Sequence, residues 1–342
     1  MKLIKTNEVR NCLEEISINV KEYLYGNMRD YDYTKAKADT VKELNQIYSN
    51  LGIDFEVKHN PSSFFDIPYN KDIKFDSVKN NGSVSLQKFT INKNILHMFD
   101  YPISDEYLKT YVLYGAYTKN IDTFRIVENG NTYMTPTIME YNTMKDEIDR
   151  ASGKVLTFGL GIGFFQYMCL LKDTVESVTV VEKNKIIIEF FEEYILPQFR
   201  NKNIKIIKGN AYDYFEKDYF KKFDYVFVDI YFNNDDGFEV YRKLLKSDVD
   251  MANVGFWIEN QILLQIKMLV ASYLFNHLKG TVSEVLSLEN SFTEDFKYIH
   301  KLFRQENVVI DSEEKILRYI NDKEFLRKII KRWFWYRRGI YE

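Results

Sequence analysis

Cysteine is almost missing from this chain: Cys12 and Cys169 are the only two in 342 residues, and they lie far apart. That excludes a disulfide framework and a cysteine-rich zinc site, and it suits a reducing compartment. The four histidines, His59, His97, His277 and His300, show no ligand spacing, so no metal is expected. No run reaches the roughly 18 apolar residues that a membrane-spanning helix requires. The longest helical candidate, 261–278, is interrupted by Gln265 and Lys267. The opening Met1-Lys2-Leu3-Ile4-Lys5-Thr6 becomes charged too early for a secretory signal. An excess of one charge is lacking as well, because 47 Lys and Arg meet 50 Asp and Glu for a net charge of −3. Such a balance speaks against nucleic acid as a partner. Together these absences describe a soluble, cytoplasmic protein without a metal or a membrane span, and they are compatible with a homodimer.

What the chain does contain is apolar material in a telling order. With 45% hydrophobic residues it can bury a full α/β domain and still carry additional parts. Val155-Leu156-Thr157-Phe158 reads as a buried strand that runs into Gly159-Leu160-Gly161-Ile162-Gly163, and 164–171 continues as an apolar helix. Glycines are wanted where the chain turns sharply after such a strand and lets a bound molecule approach the backbone. The dinucleotide fingerprint G-x-G-x-x-G is not met, since Phe164 stands where its last glycine belongs. Three more β runs follow: 177–181 ending at Glu182, 204–207 ending at Gly209-Asn210-Ala211, and 223–228 ending at Asp229. Glu182 lies about 20 residues beyond the glycines, where an acid can accept hydrogen bonds from ribose hydroxyls. A helix is expected over 185–194, stopping near Pro197, and a fifth strand over 254–258.

This set resembles the class I S-adenosylmethionine-dependent methyltransferases, whose first strand ends in a G-x-G-x-G turn and whose second ends in an acid. The resemblance covers roughly residues 150 to 260. It implies an α/β fold with a doubly wound, mostly parallel Rossmann-like sheet, S-adenosylmethionine as cofactor, and methyl transfer to a small-molecule acceptor. The implied cofactor contacts are Gly159, Leu160, Gly161, Gly163, Glu182, Lys183, Asn210, Ala211 and Asp229, with Asp229 also serving as the catalytic residue. Two positions depart from the pattern. Thr157 stands where many members carry an acid, and Asn210 replaces an aspartate, keeping an acceptor for the adenine amine while dropping the charge. Asn210 equally suits a plain turn.

A branch of the same superfamily, the polyamine synthases, is the natural rival, which gives the reading a spermidine synthase-like flavour. Those enzymes end the fourth strand in Asp-x-x-Asp and place a hairpin upstream. Here Asp229 is followed by Ile230, Tyr231 and Phe232, so the second acid is missing, and Tyr231 and Phe232 read as pocket wall. The hairpin has a counterpart in 124–127 and 132–135 around Asn129-Gly130, with Tyr133 nearest to the expected glutamine. A polyamine synthase-like layout with a different acceptor follows; a catalytically silent nucleoside-binding protein is the third alternative.

Three regions are expected along the chain. Residues 1–122 form an N-terminal α+β domain that selects the acceptor, with helical patterns at 14–25 and 35–51 and a loop-like stretch from Lys58 to Gly82 holding Pro61 and Pro68. Residues 123–280 hold the hairpin and the Rossmann-like sheet, and 281–342 form a helical C-terminal extension, with helices at 292–306, 312–320 and 323–336 and no closing edge hairpin. Between hairpin and sheet, Thr135 and Glu140 are placed either to touch the methionine part of the cofactor or, with Thr137 and Glu140, to form a capping box. The tail 327–338 combines six basic residues with four consecutive aromatics. Leu326, Ile329, Ile330, Trp333 and Phe334 share one helical face, so core packing with a basic outer side is favoured over an anionic partner.

Overall fold

The computed structural model describes residues 1–26, 46, 61–75, 84–93, 95, 97–111, 114–128, 130–288 and 291–332. The chain divides into two compact units that interleave in sequence. One comprises Met1–Asp30, Pro102–Tyr111 and Asn260–Glu342, the other Tyr31–Tyr101 and Val112–Glu259. Compactness therefore groups the N-terminal helix with the C-terminal helices, a grouping that differs from chain order.

The second unit carries the sheet. An antiparallel three-stranded sheet is made by β1 (Val84–Ile91), β2 (Ile121–Glu128) and β3 (Asn131–Met134), with β2 in the middle. The β2–β3 pair is the expected hairpin, and Gly130 takes φ +85 at its turn; Asn129 lies outside the described residues. The main sheet contains β4 (Gly153–Phe158), β5 (Val175–Glu182), β6 (Ile204–Lys208), β7 (Tyr225–Val228) and β8 (Val254–Phe256), in the order β6-β5-β4-β7-β8 with every pairing parallel. This is the doubly wound Rossmann-like arrangement expected. Strands buried on both faces read as continuous apolar runs, and all four residues of β7 are buried.

Two short helices, α1 (Pro61–Asp66) and α2 (Pro68–Asp72), occupy the stretch read as a loop. The correction is physical: Pro68 stands at the first helical turn, where a missing N–H costs nothing. Helix α3 (Ile138–Arg150) leads into β4, and α4 (Phe164–Leu170) follows the glycine turn. Helix α5 spans only Lys185–Phe190, because 191–195 continues as a wider π-type turn before a 3₁₀ turn at 196–198. Helix α6 (Asn234–Lys246) connects β7 to β8. Among the described residues the sheet carries no antiparallel edge hairpin.

The other unit is mainly helical: Asn7–Gly26, the 259–279 helix from Asn260 onward, Ser291–Gln305, Glu313–Asn321 and Lys323–Arg332. Lys2–Leu3 pairs in parallel with Val309–Ile310. Its core holds Leu13, Leu274, Phe296, Phe303 and Ile320, and Leu326, Ile329 and Ile330 are buried as the one-face reading requires. Trp333 and Phe334 lie outside the described residues, as does the helix expected at 35–51 apart from Gln46. No helix among the described residues is long and apolar enough to cross a membrane.

Candidate functional site

The candidate site follows from register. Phe158 is aligned with Val181 on one side and with Val228 on the other, so Gly159, Glu182 and Asp229 leave the sheet side by side. Backbone pairing persists into this row: the Gly159 amide donates to Val181 O at 3.0 Å, and the Asp229 amide donates to Phe158 O at 2.9 Å. The row stands outside the carboxyl ends of the strands, beside the place where strand order reverses between β4 and β7, the usual ligand position in such sheets.

Gly159, Gly161 and Gly163 take φ of +98, +51 and +73, the left-handed region that favours glycine. Much of this demand comes from the protein's own atoms. A Cβ at Gly159 would run into the main-chain oxygen of Asp229, and one at Gly161 would stand 2.6 Å from Met134 Sδ. The turn is also held by bonds. Leu160 N–H donates to Glu182 Oε2 at 3.1 Å, Ile162 N–H to Met134 Sδ at 3.4 Å, and Gly159 O accepts from Gln166 Nε2 at 2.9 Å. Thr157, at the position where the family pattern has an acid, is buried and turns its hydroxyl to Gly159 O at 3.4 Å. It supports the turn from beneath.

Glu182 is 5% exposed, and its second oxygen accepts from Asn184 N–H at 2.7 Å. Its carboxylate thus ties the glycine turn to the start of α5, and each oxygen retains a lone pair for a further donor. Lys183 is exposed and Ala211 buried. Asn210 is exposed, and its side-chain oxygen caps the 3₁₀ turn Ala211–Tyr214 by accepting from Tyr212 N–H at 3.2 Å.

The strongest electrostatic feature is a group of acids. Burial, reinforced by the neighbouring Glu182 carboxylate, pushes the Asp229 carboxyl up to about 7. Burial, reinforced by Asp229, pushes the Glu140 carboxyl up to about 8. Among the described residues neither is paired with Lys, Arg or His, and nothing cationic offsets the two. Glu140 reaches this place from the first turn of α3, where Thr137 is the N-cap and accepts from the Glu140 amide at 3.3 Å. The capping residue is therefore Thr137, while the Glu140 side chain stands in the field of Asp229. Asp229 caps no helix, since α6 begins only at Asn234.

Aromatic rings wall the same place. Tyr101 feels both Glu140 and Asp229, and its ring meets Trp257 edge-on at 5.9 Å. Tyr231 stacks on Phe256 at 5.0 Å and donates its hydroxyl to Trp257 O. Trp257 Nε1 donates to Thr143 Oγ1 at 3.1 Å. Tyr231 is buried, whereas Phe232 is 63% exposed. Sequence reading missed Tyr101 and Trp257; nothing local to either one marks it. Among the described residues no group of three or more His, Cys, Asp or Glu is arranged to hold a metal ion.

No family model matches this chain, and no curated relative is found by sequence. Similar solved structures include spermidine synthase from Thermotoga maritima, 18% identical over 46% of this chain and 60% of that one, with a TM-score of 0.29. A spermidine synthase bound to the transition-state analogue AdoDATO is 18% identical over 46% of this chain and 61% of its own, with a TM-score of 0.31. A Podospora anserina methyltransferase bound to S-adenosylhomocysteine is 15% identical over 44% of this chain and 71% of its own, with a TM-score of 0.29. The matched region thus spans about three fifths of each spermidine synthase.

Proposed function

We propose that this chain is an S-adenosylmethionine-dependent methyltransferase acting on a small-molecule acceptor. The single observation that carries the reading is the row formed by Gly159, Glu182 and Asp229 at the reversal of strand order, with half-buried acids that lack a cationic partner among the described residues. The donor, when bound, supplies a methyl group already activated on a sulfonium sulfur. Transfer is an in-line displacement, so the protein's task is to align donor and acceptor and keep water away. Glu182 retains lone pairs for ribose hydroxyls while it fixes Leu160 and Asn184. The carboxyls of Glu140 and Asp229, which no cation offsets among the described residues, favour a cationic ligand, and a carboxyl poised near neutrality is suited to hold or remove the proton of an amine or hydroxyl acceptor. Tyr101, Tyr231 and Trp257 supply the dry apolar side.

One observation favours aminopropyl transfer as a second reading. The Asp-x-x-Asp pattern lacks its second acid in sequence, yet Glu140 brings a carboxyl into the field of Asp229 from another element. Calorimetric titration with S-adenosylmethionine and with its decarboxylated form tests both readings. The methyltransferase reading expects tighter binding of the former, the aminopropyl reading tighter binding of the latter, and the absence of heat from either would remove both.

A further inference from the structure

The segment 61–75 offers no chemistry to sequence reading, yet one of its atoms reaches the main chain of the glycine turn. Tyr69, fully buried on α2, donates its hydroxyl to Ile162 O at 2.6 Å. Ile162 lies between the second and third glycines. The next amide, Gly163 N–H, donates to Leu160 O at 2.8 Å. The peptide plane joining Ile162 to Gly163 is therefore held at both ends, by Tyr69 on its oxygen and by Leu160 on its hydrogen. One hinge of this plane is Gly163, whose φ of +73 lies where a glycine turns freely, so the two bonds supply the restraint that a side chain there would otherwise give.

The other contacts of this segment go elsewhere. The Tyr69 ring packs on Phe164 at 5.0 Å and edge-on to Tyr167 at 5.6 Å. Asp72 accepts from the Tyr167 hydroxyl and from Arg200 at 2.7 Å. Lys74 and Gln198 exchange two bonds, both 2.8 Å. Of these contacts, only the Tyr69 hydroxyl sets the shape of the glycine turn itself.

We infer that Tyr69 is a positioning residue for the cofactor, and that cofactor occupancy and docking of segment 61–75 strengthen one another. The inference rests on the S-adenosylmethionine reading above. Linkage requires reciprocity: if Tyr69 improves the affinity of the turn for its ligand, the ligand must tighten the hold of Tyr69 on the turn.

The test uses the full chain, with Tyr69→Phe to remove only the hydroxyl and Asp72→Asn as a control that loosens the same helix without touching the turn. Calorimetry with S-adenosylmethionine is expected to show Kd raised about three- to tenfold by Tyr69→Phe and less than twofold by Asp72→Asn. Hydrogen exchange is expected to show that S-adenosylmethionine slows the amides of 69–73 in the native chain, and that this protection is lost in Tyr69→Phe. With methyl transfer as readout, KM should rise while kcat holds. Equal affinity of Tyr69→Phe and the native chain, or equal loss in both variants, would overturn the inference while leaving the function standing. A native chain that binds no S-adenosylmethionine would overturn the functional reading, and this one with it.

Discussion

The carboxylate of Glu182 reaches from the end of β5 into the glycine turn and holds the Leu160 amide at 3.1 Å while taking the Asn184 amide at 2.7 Å. One buried side chain thus fixes two loops that border the candidate site. Glu182→Ala leaves both amides without their acceptor, and an unsatisfied buried donor costs about 1–3 kcal/mol. The expected outcome is a lower Tm together with S-adenosylmethionine affinity reduced at least tenfold and a smaller effect on turnover. Glu182→Gln keeps one carbonyl oxygen and should fall between. Calorimetry and thermal melting of the two variants decide this, and unchanged affinity in Glu182→Ala would show that the residue serves the fold alone.

Asp229 lies in the same row but makes no comparable side-chain bond to the turn; its amide belongs to the sheet, donating to Phe158 O at 2.9 Å. Its carboxyl is therefore available for chemistry, and Asp229→Asn retains the shape while removing the base. General acid–base catalysis typically contributes about 10²- to 10⁴-fold, so kcat should fall by that order while the Kd for S-adenosylmethionine stays within a few-fold. Loss of affinity without loss of kcat would exchange the roles assigned to Asp229 and Glu182.

The acids Glu140 and Asp229 also make stability depend on pH. Burial, then the neighbouring carboxylate, lifts both above their usual range, to about 8 and about 7. Since their folded values are raised, the stability they contribute is fully present below the ordinary carboxylate range near pH 4 and is lost as pH rises through about 7 to 8. Glu140→Gln removes one of these charges, so it should raise Tm at pH 9, by about 2–4 °C per kcal/mol recovered, and leave Tm unchanged at pH 4. A cationic ligand should stabilise the native chain more at pH 9 than at pH 6. A melting curve with the reverse pH order would mean that the two carboxyls are ionised and compensated in the folded protein.

Much of the site was legible because its residues follow strands that are legible themselves. Runs such as Val178 to Val181 and Tyr225 to Val228 are apolar and largely β-branched or aromatic, and the residue after each run has to emerge at the carboxyl edge of the sheet. Glu182 and Asp229 could thus be placed from local pattern alone. Other parts depend on contacts between distant positions. The Tyr69 hydroxyl meets Ile162 across 93 residues, and no periodicity announces it. Pro61 and Pro68 read as breakers although each begins a short helix. Strand β1 pairs along its whole length with β2, a partnership its own sequence does not declare. Asn210 shows the opposite limit: its position fits an adenine contact and a turn alike, and the bond its oxygen accepts from Tyr212 N–H serves the turn without using its second lone pair.

The glycines themselves can be separated by what stands behind them. A methyl group at Gly159 meets the main-chain oxygen of Asp229, a backbone atom that can retreat only if the chain leaving β7 moves with it. At Gly161 the nearest atom is Met134 Sδ at 2.6 Å, the far part of a flexible side chain that can swing aside. Gly161→Ala then carries mainly the cost of a non-glycine residue in left-handed backbone, about 1–2 kcal/mol, and releases Met134 from the Ile162 amide. Gly159→Ala should therefore yield little soluble folded protein, whereas Gly161→Ala should fold with a Tm lower by a few degrees. Because its backbone is retained while the sulfur is displaced, Gly161→Ala also tests whether Met134 guards the ligand face: S-adenosylmethionine affinity should change in this variant, and in Met134→Ala in the same direction. Equal stability of the two alanine variants by circular dichroism would show that the distinction between backbone and side-chain neighbours is wrong.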